Sequence, residues 1–131
     1  MSLPIEYRKG SLNDISKPKF AEGLSVSGKG VEFNVVGMGH EFWVAIQGDT
    51  VVGIIVLGKW SQYELRIMYL EVASTRKNEG VGSALMHSVI ENYPEYKLYV
   101  TPFEGTEDFY RHLGFLNVSR WEMRREPSLT Q

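Results

Sequence analysis

The chain has 131 residues, 43% hydrophobic and 23% charged, a composition typical of one globular domain over residues 1–131. Fourteen basic and sixteen acidic residues give a formal net charge of -2, so bulk charge gives no reason to expect nucleic-acid or membrane binding. The sequence has no cysteine, which excludes a disulfide framework, a thiolate zinc site and a cysteine nucleophile, and fits the cytoplasmic location that we expect.

The N-terminal third predicts only short elements. Residues 5–8 alternate apolar and polar side chains, as a first strand would. Ser11 resembles a helix N-cap, and Pro18 either interrupts that helix or begins a second short one. Residues 25–30 are typical of a loop, whereas residues 31–39 alternate like a strand but contain two glycines that weaken this interpretation.

The middle of the chain predicts an antiparallel meander. Residues 42–46, 51–57 and 63–72 form three runs rich in β-branched and aromatic side chains. Gly48 lies between the first two runs, at the first central position of a tight turn. Glycine at that position suits a type II′ hairpin, whose twist matches that of the strands it joins.

Two helices and two more strands complete the predicted order. Apolar side chains recur at helical spacing from Val81 onward. A second helix is expected from Thr106, with acidic residues in its first turn and Gly114 at its C-terminal cap. Residues 97–101 predict the strand between these helices, and residues 116–124 predict the last strand. The order indicates an α/β fold with a mixed sheet.

The junction between strand and helix at residues 77–82 carries the clearest chemical signal, because it reads Lys-Asn-Glu-Gly-Val-Gly. The start of a helix offers unpaired backbone N–H groups and a positive dipole end, which together bind phosphates. Glycines at positions 80 and 82 would let those amides approach an anion closely. Such a pair of glycines is often only a tight turn, and the sequence lacks both the P-loop pattern and the third glycine of dinucleotide-binding loops.

This segment nevertheless resembles motif A of the GNAT acetyltransferases, which reads Gln or Arg, two residues, Gly, one residue, then Gly or Ala. In that family the motif holds the pyrophosphate of acetyl-CoA on backbone amides. Lys77 stands where the family usually has Gln or Arg, and it keeps the charge but loses the planar fork of arginine. Ser74 replaces a frequent proline.

A second segment, residues 109–115, is similar to motif B of the same family, in which Phe-Tyr is followed by Gly-Phe. The two motifs occur in the family's order, with a strand between them. The resemblance implies a GNAT-like, mostly antiparallel central sheet flanked by helices. Its fourth and fifth strands, here residues 63–72 and 97–101, would splay apart to admit acetyl-CoA.

The resemblance also implies roles for individual residues. The pantetheine arm would pair with the backbone at the end of the fourth strand, and the pyrophosphate would lie on the amides that follow it. The expected cofactor-binding residues are Leu70, Val72, Lys77, Asn78, Glu79, Gly80, Val81, Gly82, Ser83 and Ala84. Tyr110 aligns with the tyrosine that protonates the departing thiolate, and packing in the core is its alternative role.

The general base is predicted less directly. Bases in this family are often carboxylates on the fourth strand, where Glu64 and Glu71 are available. On a regular strand these two side chains would point to opposite faces, and a β-bulge would alter that. The alternative for each is a solvated carboxylate. His40 and Glu41 are weaker candidates.

No metal site is expected, since the three histidines lack ligand spacing, and His87 and His112 are expected on helix surfaces. Trp43, Trp60 and Tyr63 would either line an acceptor pocket or pack in the core. The glycine-rich residues 25–39 would cover the acceptor.

The expected function is transfer of an acetyl group from acetyl-CoA to a primary amine of a small molecule, peptide or protein by direct attack. One alternative is a catalytically silent module that binds acetyl-CoA and regulates a partner. Another is a protein that binds a different phosphorylated ligand, such as a nucleotide. Dimers are frequent in the family, so a homodimer is the assembly that the resemblance would allow.

Overall fold

A computed structural model describes residues 3–11, 13–16, 19–24 and 38–128. The strands in these ranges are β1 Ile5–Lys9, β2 Lys19–Phe20, β3 Glu41–Gln47, β4 Thr50–Ser61, β5 Glu64–Val72, β6 Lys97–Val100, β7 Leu116–Asn117 and β8 Met123–Arg125. The helices in the same ranges are α1 Asn13–Ser16, α2 Val81–Asn92 and α3 Glu107–His112, and Ser74–Arg76 form a 3₁₀ turn. The predicted acceptor loop lies mostly outside the described residues.

The strands form one mixed sheet in the order β1-β3-β4-β5-β6-β8-β7, and β2 pairs with the start of β4. The neighbouring pairs are antiparallel except β5 with β6 and β2 with β4, which are parallel. The predicted α/β fold with a mostly antiparallel central sheet is therefore confirmed.

The hairpin between β3 and β4 has the geometry that the sequence predicts. Gln47 pairs with Thr50, so two residues form the turn. Gly48 has a φ of 63°. Asp49 is not among the described residues with positive φ, so a type I′ turn is excluded and the type II′ assignment fits.

Strand β4 is buried on both faces over most of its length, which explains its continuous apolar run. Ile55 and Leu57 pack in the cluster beneath α2 and α3. Ile54 and Val56 pack in a second cluster on the opposite face. Since neighbouring side chains of a strand point to opposite faces, a strand covered on both sides needs apolar residues at every position.

Helix α2 packs on the sheet through the stripe that the sequence predicts. Val81, Leu85 and Val89 are buried, and Met86 is buried beside them. The helix sits close to the sheet at Gly53, where a Cβ atom would lie 2.8 Å from the Val81 side chain. This close approach places the first turn of α2 beside the end of β5. Of the helices in the described ranges, not one combines the length and apolar character that crossing a bilayer requires.

One of the two alternatives that the sequence left open for Pro18 is wrong. Phe20 does not belong to a second helix but to the short strand β2, where it pairs with Val51. Ser11 lies at the start of α1, where its carbonyl accepts a hydrogen bond from the Asp14 N–H at 2.9 Å. Its own N–H and hydroxyl both donate to the carboxylate of Asp14, at 2.9 and 3.0 Å.

The prediction of one last strand over residues 116–124 is also wrong. The segment forms two short antiparallel strands, β7 and β8, with Leu116 opposite Arg124. The turn between them is closed by hydrogen bonds from the Val118 and Ser119 N–H groups to the Glu122 carbonyl. Leu116 is 70% exposed, so this apolar side chain does not pack in the core.

Candidate active site

Strands β5 and β6 run side by side only briefly and then separate. Their ladder contains the pairs Glu64 with Lys97, Leu65 with Leu98 and Arg66 with Tyr99. Strand β5 continues to Val72, so its second half has no strand partner on that side among the described residues. The separation that the family resemblance implied for these two strands is present.

A β-bulge at Met68 changes which side chains of β5 face the helices. Val56 pairs with Tyr69 and Leu57 with Ile67, which leaves Met68 as the additional residue. Before the bulge Leu65 and Ile67 face the cluster beneath α2, and after it Leu70 and Val72 do. The bulge therefore shifts the alternation by one residue.

The bulge also decides the relation between the two predicted bases. Glu64 precedes it and Glu71 follows it, so both lie on the face of the sheet opposite α2 rather than on opposite faces. Seven residues separate them, a distance of roughly 23 Å along a strand. They do not form a carboxylate pair.

The separated strands open into a cleft of about 650 Å³. One wall is the end of β5 with the loop that follows it, and the other is the loop after β6 with the start of α3. The first turn of α2 lies between them. The lining residues are Gly23, Leu70, Glu71, Val72, Arg76, Lys77, Asn78, Gly80, Val81, Gly82, Ser83, Phe103, Gly105, Thr106, Phe109 and Tyr110.

The amides at the start of α2 open into this cleft. Within the described part of the chain, the N–H groups of Gly80, Val81, Gly82 and Ser83 have no backbone or side-chain acceptor, and the first amide engaged is that of Ala84, which donates to the Gly80 carbonyl at 2.9 Å. Gly80 adopts a left-handed conformation with φ of 81° at the N-cap position. Four unpaired donors at the positive end of a helix are suited to binding an anion.

The two basic residues of the loop, Arg76 and Lys77, differ in whether their charge is already paired within the protein. The Arg76 guanidinium donates to the Gln47 side chain and forms an ion pair with Glu79 at 3.4 Å, so it is engaged within the protein. Lys77 is exposed and has no ion pair within the described ranges. The charge available to a ligand is therefore that of Lys77.

Tyr110 lies on α3 in the cleft wall and is 7% exposed. Its ring packs edge-on against Phe109 and Phe115, with centroid distances of 5.1 and 5.4 Å. Its hydroxyl has no hydrogen-bond partner in the ranges described. Burial raises the pKa of Tyr110 to about 12, so the hydroxyl is protonated at neutral pH.

A helix cap holds Tyr110 in place and explains the Gly-Phe pair that follows it. The Gly114 N–H donates to the Arg111 carbonyl and the Phe115 N–H to the Tyr110 carbonyl, which is the Schellman arrangement. Gly114 has a φ of 93°, where a side chain would be strained. Phe115 is then fully buried, and its ring supports the Tyr110 ring.

Most of the expected cofactor residues meet in the cleft. Glu79 and Ala84 are not among its lining residues. Glu71 lines the cleft near the loop, whereas Glu64 lies at the other end of β5. The Glu64 carboxylate accepts hydrogen bonds from the hydroxyls of Ser61 and Tyr99, at 2.7 and 2.9 Å.

The other candidates are distributed more widely. Trp43 packs in the core, and its indole N–H donates to the Tyr93 hydroxyl. Glu41 accepts a hydrogen bond from the same hydroxyl at 2.6 Å. Trp60 and Tyr63 are exposed. His87 and His112 lie on helix surfaces, as predicted.

Several lining residues were not assigned to a site from the sequence, among them Phe103, Thr106 and Phe109 in the segment after β6. Phe103 is 80% exposed, an unusual position for a large apolar ring. No periodicity marks such a residue in the sequence. Its only signal was its place directly after a predicted strand, the region where loops of α/β folds carry function.

Comparison with known families agrees with this geometry. The model of the acetyltransferase (GNAT) domain matches residues 38–116, more than half of the chain. The chain therefore belongs to the GNAT acetyltransferase family, and it is an acyltransferase. The sequence matches no curated protein.

Solved structures share the fold at low sequence identity. A GNAT family acetyltransferase from Elizabethkingia anophelis with acetyl-CoA bound is 17% identical, with 93% of this chain and 97% of that chain covered and a TM-score of 0.66. Ard1 from Thermoplasma volcanium is 21% identical, with 94% and 97% covered and a TM-score of 0.67. The acetoin utilization protein from Exiguobacterium sibiricum is 13% identical, with 97% and 85% covered and a TM-score of 0.72.

Proposed function

We propose that residues 1–131 form one acetyltransferase domain that transfers an acetyl group from acetyl-CoA to a primary amine. In this proposal acetyl-CoA binds in the cleft between β5 and β6. The acceptor is an amine of a small molecule, peptide or protein. Family membership and the solved relative with acetyl-CoA bound support the choice of donor. A cytoplasmic location and a homodimer stay predictions from the sequence.

One observation carries the proposal. Within the described ranges, the N–H groups of residues 80–83 have no acceptor and open into the cleft, where the second half of β5 has no strand partner on the β6 side. A diphosphate on these amides and on Lys77 would place the pantetheine arm along Leu70 and Val72, where backbone groups can pair with its amides. The thioester would then lie toward the point where β5 and β6 part.

The chemistry follows from this placement. The amine nitrogen attacks the thioester carbonyl carbon, a C–N bond forms, and the C–S bond breaks to release the thiolate of coenzyme A. We assign Tyr110 as the donor of a proton to that sulfur, because it lies in the cleft wall and its raised pKa keeps it protonated.

The amine must lose a proton when it attacks. Glu71 is the predicted base that lies in the cleft wall, and we assign it to accept this proton directly or through a water molecule. We assign no role in catalysis to Glu64, because its carboxylate is held by Ser61 and Tyr99 outside the cleft.

Calorimetric titration with acetyl-CoA, coenzyme A and ATP tests the donor site. We expect acetyl-CoA and coenzyme A both to bind, and we expect ATP not to compete with either of them. A thiol-release assay over a panel of primary amines then tests the reaction. Tight binding of acetyl-CoA with no turnover on any amine class would favour the regulatory alternative, and tighter binding of ATP would contradict the donor assignment.

A further inference from the structure

Arg66 is the last residue of β5 that pairs with β6, because the ladder ends at Arg66 opposite Tyr99. Beyond this pair the two strands diverge to form the cleft. The position of this pair therefore sets where the slot between the strands closes. A group that fixes this pair also fixes how far a ligand in the slot can extend.

The Arg66 side chain contacts β4, β6 and the segment before β8 at this point. Its Nη1 atom donates to the Thr101 hydroxyl at 3.2 Å, just past the end of β6. Its Nη2 atom donates to the Glu122 carboxylate, on the segment that leads into β8. The guanidinium carbon lies 5.6 Å from the centre of the Trp60 ring and 5.9 Å from that of Tyr99.

The Arg66–Glu122 ion pair is more shielded than the exposed ion pairs among the described residues. The Arg66 and Glu122 side chains are 20% and 28% exposed, whereas those of Lys9 and Glu41, an ion pair across β1 and β3, are 56% and 45% exposed. A shielded pair whose guanidinium also lies near two aromatic rings holds one geometry better than an exposed pair does. These contacts hold β5, the end of β6 and the segment before β8 in one arrangement at the point where β5 and β6 separate.

We propose that Arg66 is a positioning residue that fixes the closed end of the cofactor slot and so restricts the donor to short acyl groups. This inference rests on the proposed function, since it assumes that the acyl end of the cofactor points toward the fork. Arg66 is not among the residues lining the cleft. It acts through the spacing of β5 and β6.

Binding of three cofactors tests this inference without an acceptor: coenzyme A, acetyl-CoA and butyryl-CoA. The wild-type chain should bind butyryl-CoA at least about tenfold more weakly than acetyl-CoA, since a closed slot rejects added methylenes. In Arg66→Gln and Glu122→Gln, the ratio of the dissociation constants of butyryl-CoA and acetyl-CoA should fall to about threefold or less. The affinity for coenzyme A should change by less than about threefold. Lys9→Gln, which breaks the exposed pair, should keep the wild-type ratio.

The variants also separate positioning from a general loss of structure. Thr101→Val removes one acceptor of Arg66 at an exposed site, and it should lower the ratio in the same direction even where Arg66→Gln does not fold. Unchanged ratios in folded Glu122→Gln and Thr101→Val would overturn the inference, as would equal weakening of all three ligands. Failure of the wild-type chain to bind coenzyme A would instead remove the proposed function itself.

Discussion

A single substitution, Gly82→Glu, tests the phosphate site most sharply. Gly82 lies in the first turn of α2 and lines the cleft. A Cβ atom there would lie 3.5 Å from the Val72 side chain and 3.8 Å from the Phe109 ring, both ordinary contacts. The backbone thus accepts a side chain at this position, and a longer one would enter the cleft where we place the diphosphate.

The size of the effect follows from electrostatics. Two like charges about 4 Å apart repel by about 1 kcal/mol in bulk water and by about 4 kcal/mol at an effective dielectric constant of 20. The cleft is open to solvent on one side, so the repulsion falls between these limits. We expect Gly82→Glu to weaken acetyl-CoA binding by a factor between about five and about a thousand.

Calorimetry on three variants separates charge from size. Gly82→Gln has nearly the same volume as Gly82→Glu without the charge, and it should bind more tightly than the Glu variant by a margin that shrinks as salt is added. Gly82→Ala should keep binding and gain about 0.5–1 kcal/mol in stability, because alanine replaces glycine within a helix. Equal affinities of the folded Glu variant and the wild type would refute the reasoning.

Three further predictions concern Tyr110, Gly80 and Asp14. Tyr110→Phe should lower kcat by at least about a hundredfold with little change in acetyl-CoA affinity, and by the same factor at about pH 7 and pH 9, because the pKa of about 12 keeps the hydroxyl protonated at both. Gly80→Ala should destabilise the fold by about 1–2 kcal/mol in urea unfolding, because its φ of 81° is unfavourable for a side chain. Burial would raise the pKa of Asp14, but hydrogen bonds from Arg8 and Ser11 outweigh it and lower that pKa. This stabilisation is present above the unfolded-state pKa of about 4 and is lost as pH falls below it, so Asp14→Asn should flatten the loss of stability between about pH 5 and pH 3.

Each of these has its own contradicting result. A rate for Tyr110→Phe equal to that of the wild type would leave Tyr110 with a packing role alone. Gly80→Ala with wild-type stability would contradict the strain argument, with Gly82→Ala as the matched control. An unchanged pH dependence in Asp14→Asn would show that other carboxylates govern unfolding in acid.

The elements with strong local patterns could be predicted from the sequence. The turn at Gly48, the buried stripe of α2 and the cap at Gly114 each depend on residues within a few positions of one another. The loop at residues 77–82 could be placed at a helix start for the same reason. Local propensity and periodicity are enough where the determining contacts are local.

The remaining features depend on partners distant in the sequence. The bulge at Met68 exists only in relation to the register of β4, and it places Glu64 and Glu71 on the same face of the sheet rather than on opposite faces. The engagement of Arg76 by Gln47 depends on the β3–β4 hairpin lying beside the loop. The break between β7 and β8 likewise follows from pairing rather than from composition.

Amide chemical shifts during a titration with coenzyme A would test the central claim most directly. The account predicts that the amide resonances of Gly80, Val81, Gly82 and Ser83 shift most on binding, because their free N–H groups gain phosphate acceptors. Saturation with coenzyme A that leaves these four resonances in place, while others move, would contradict it.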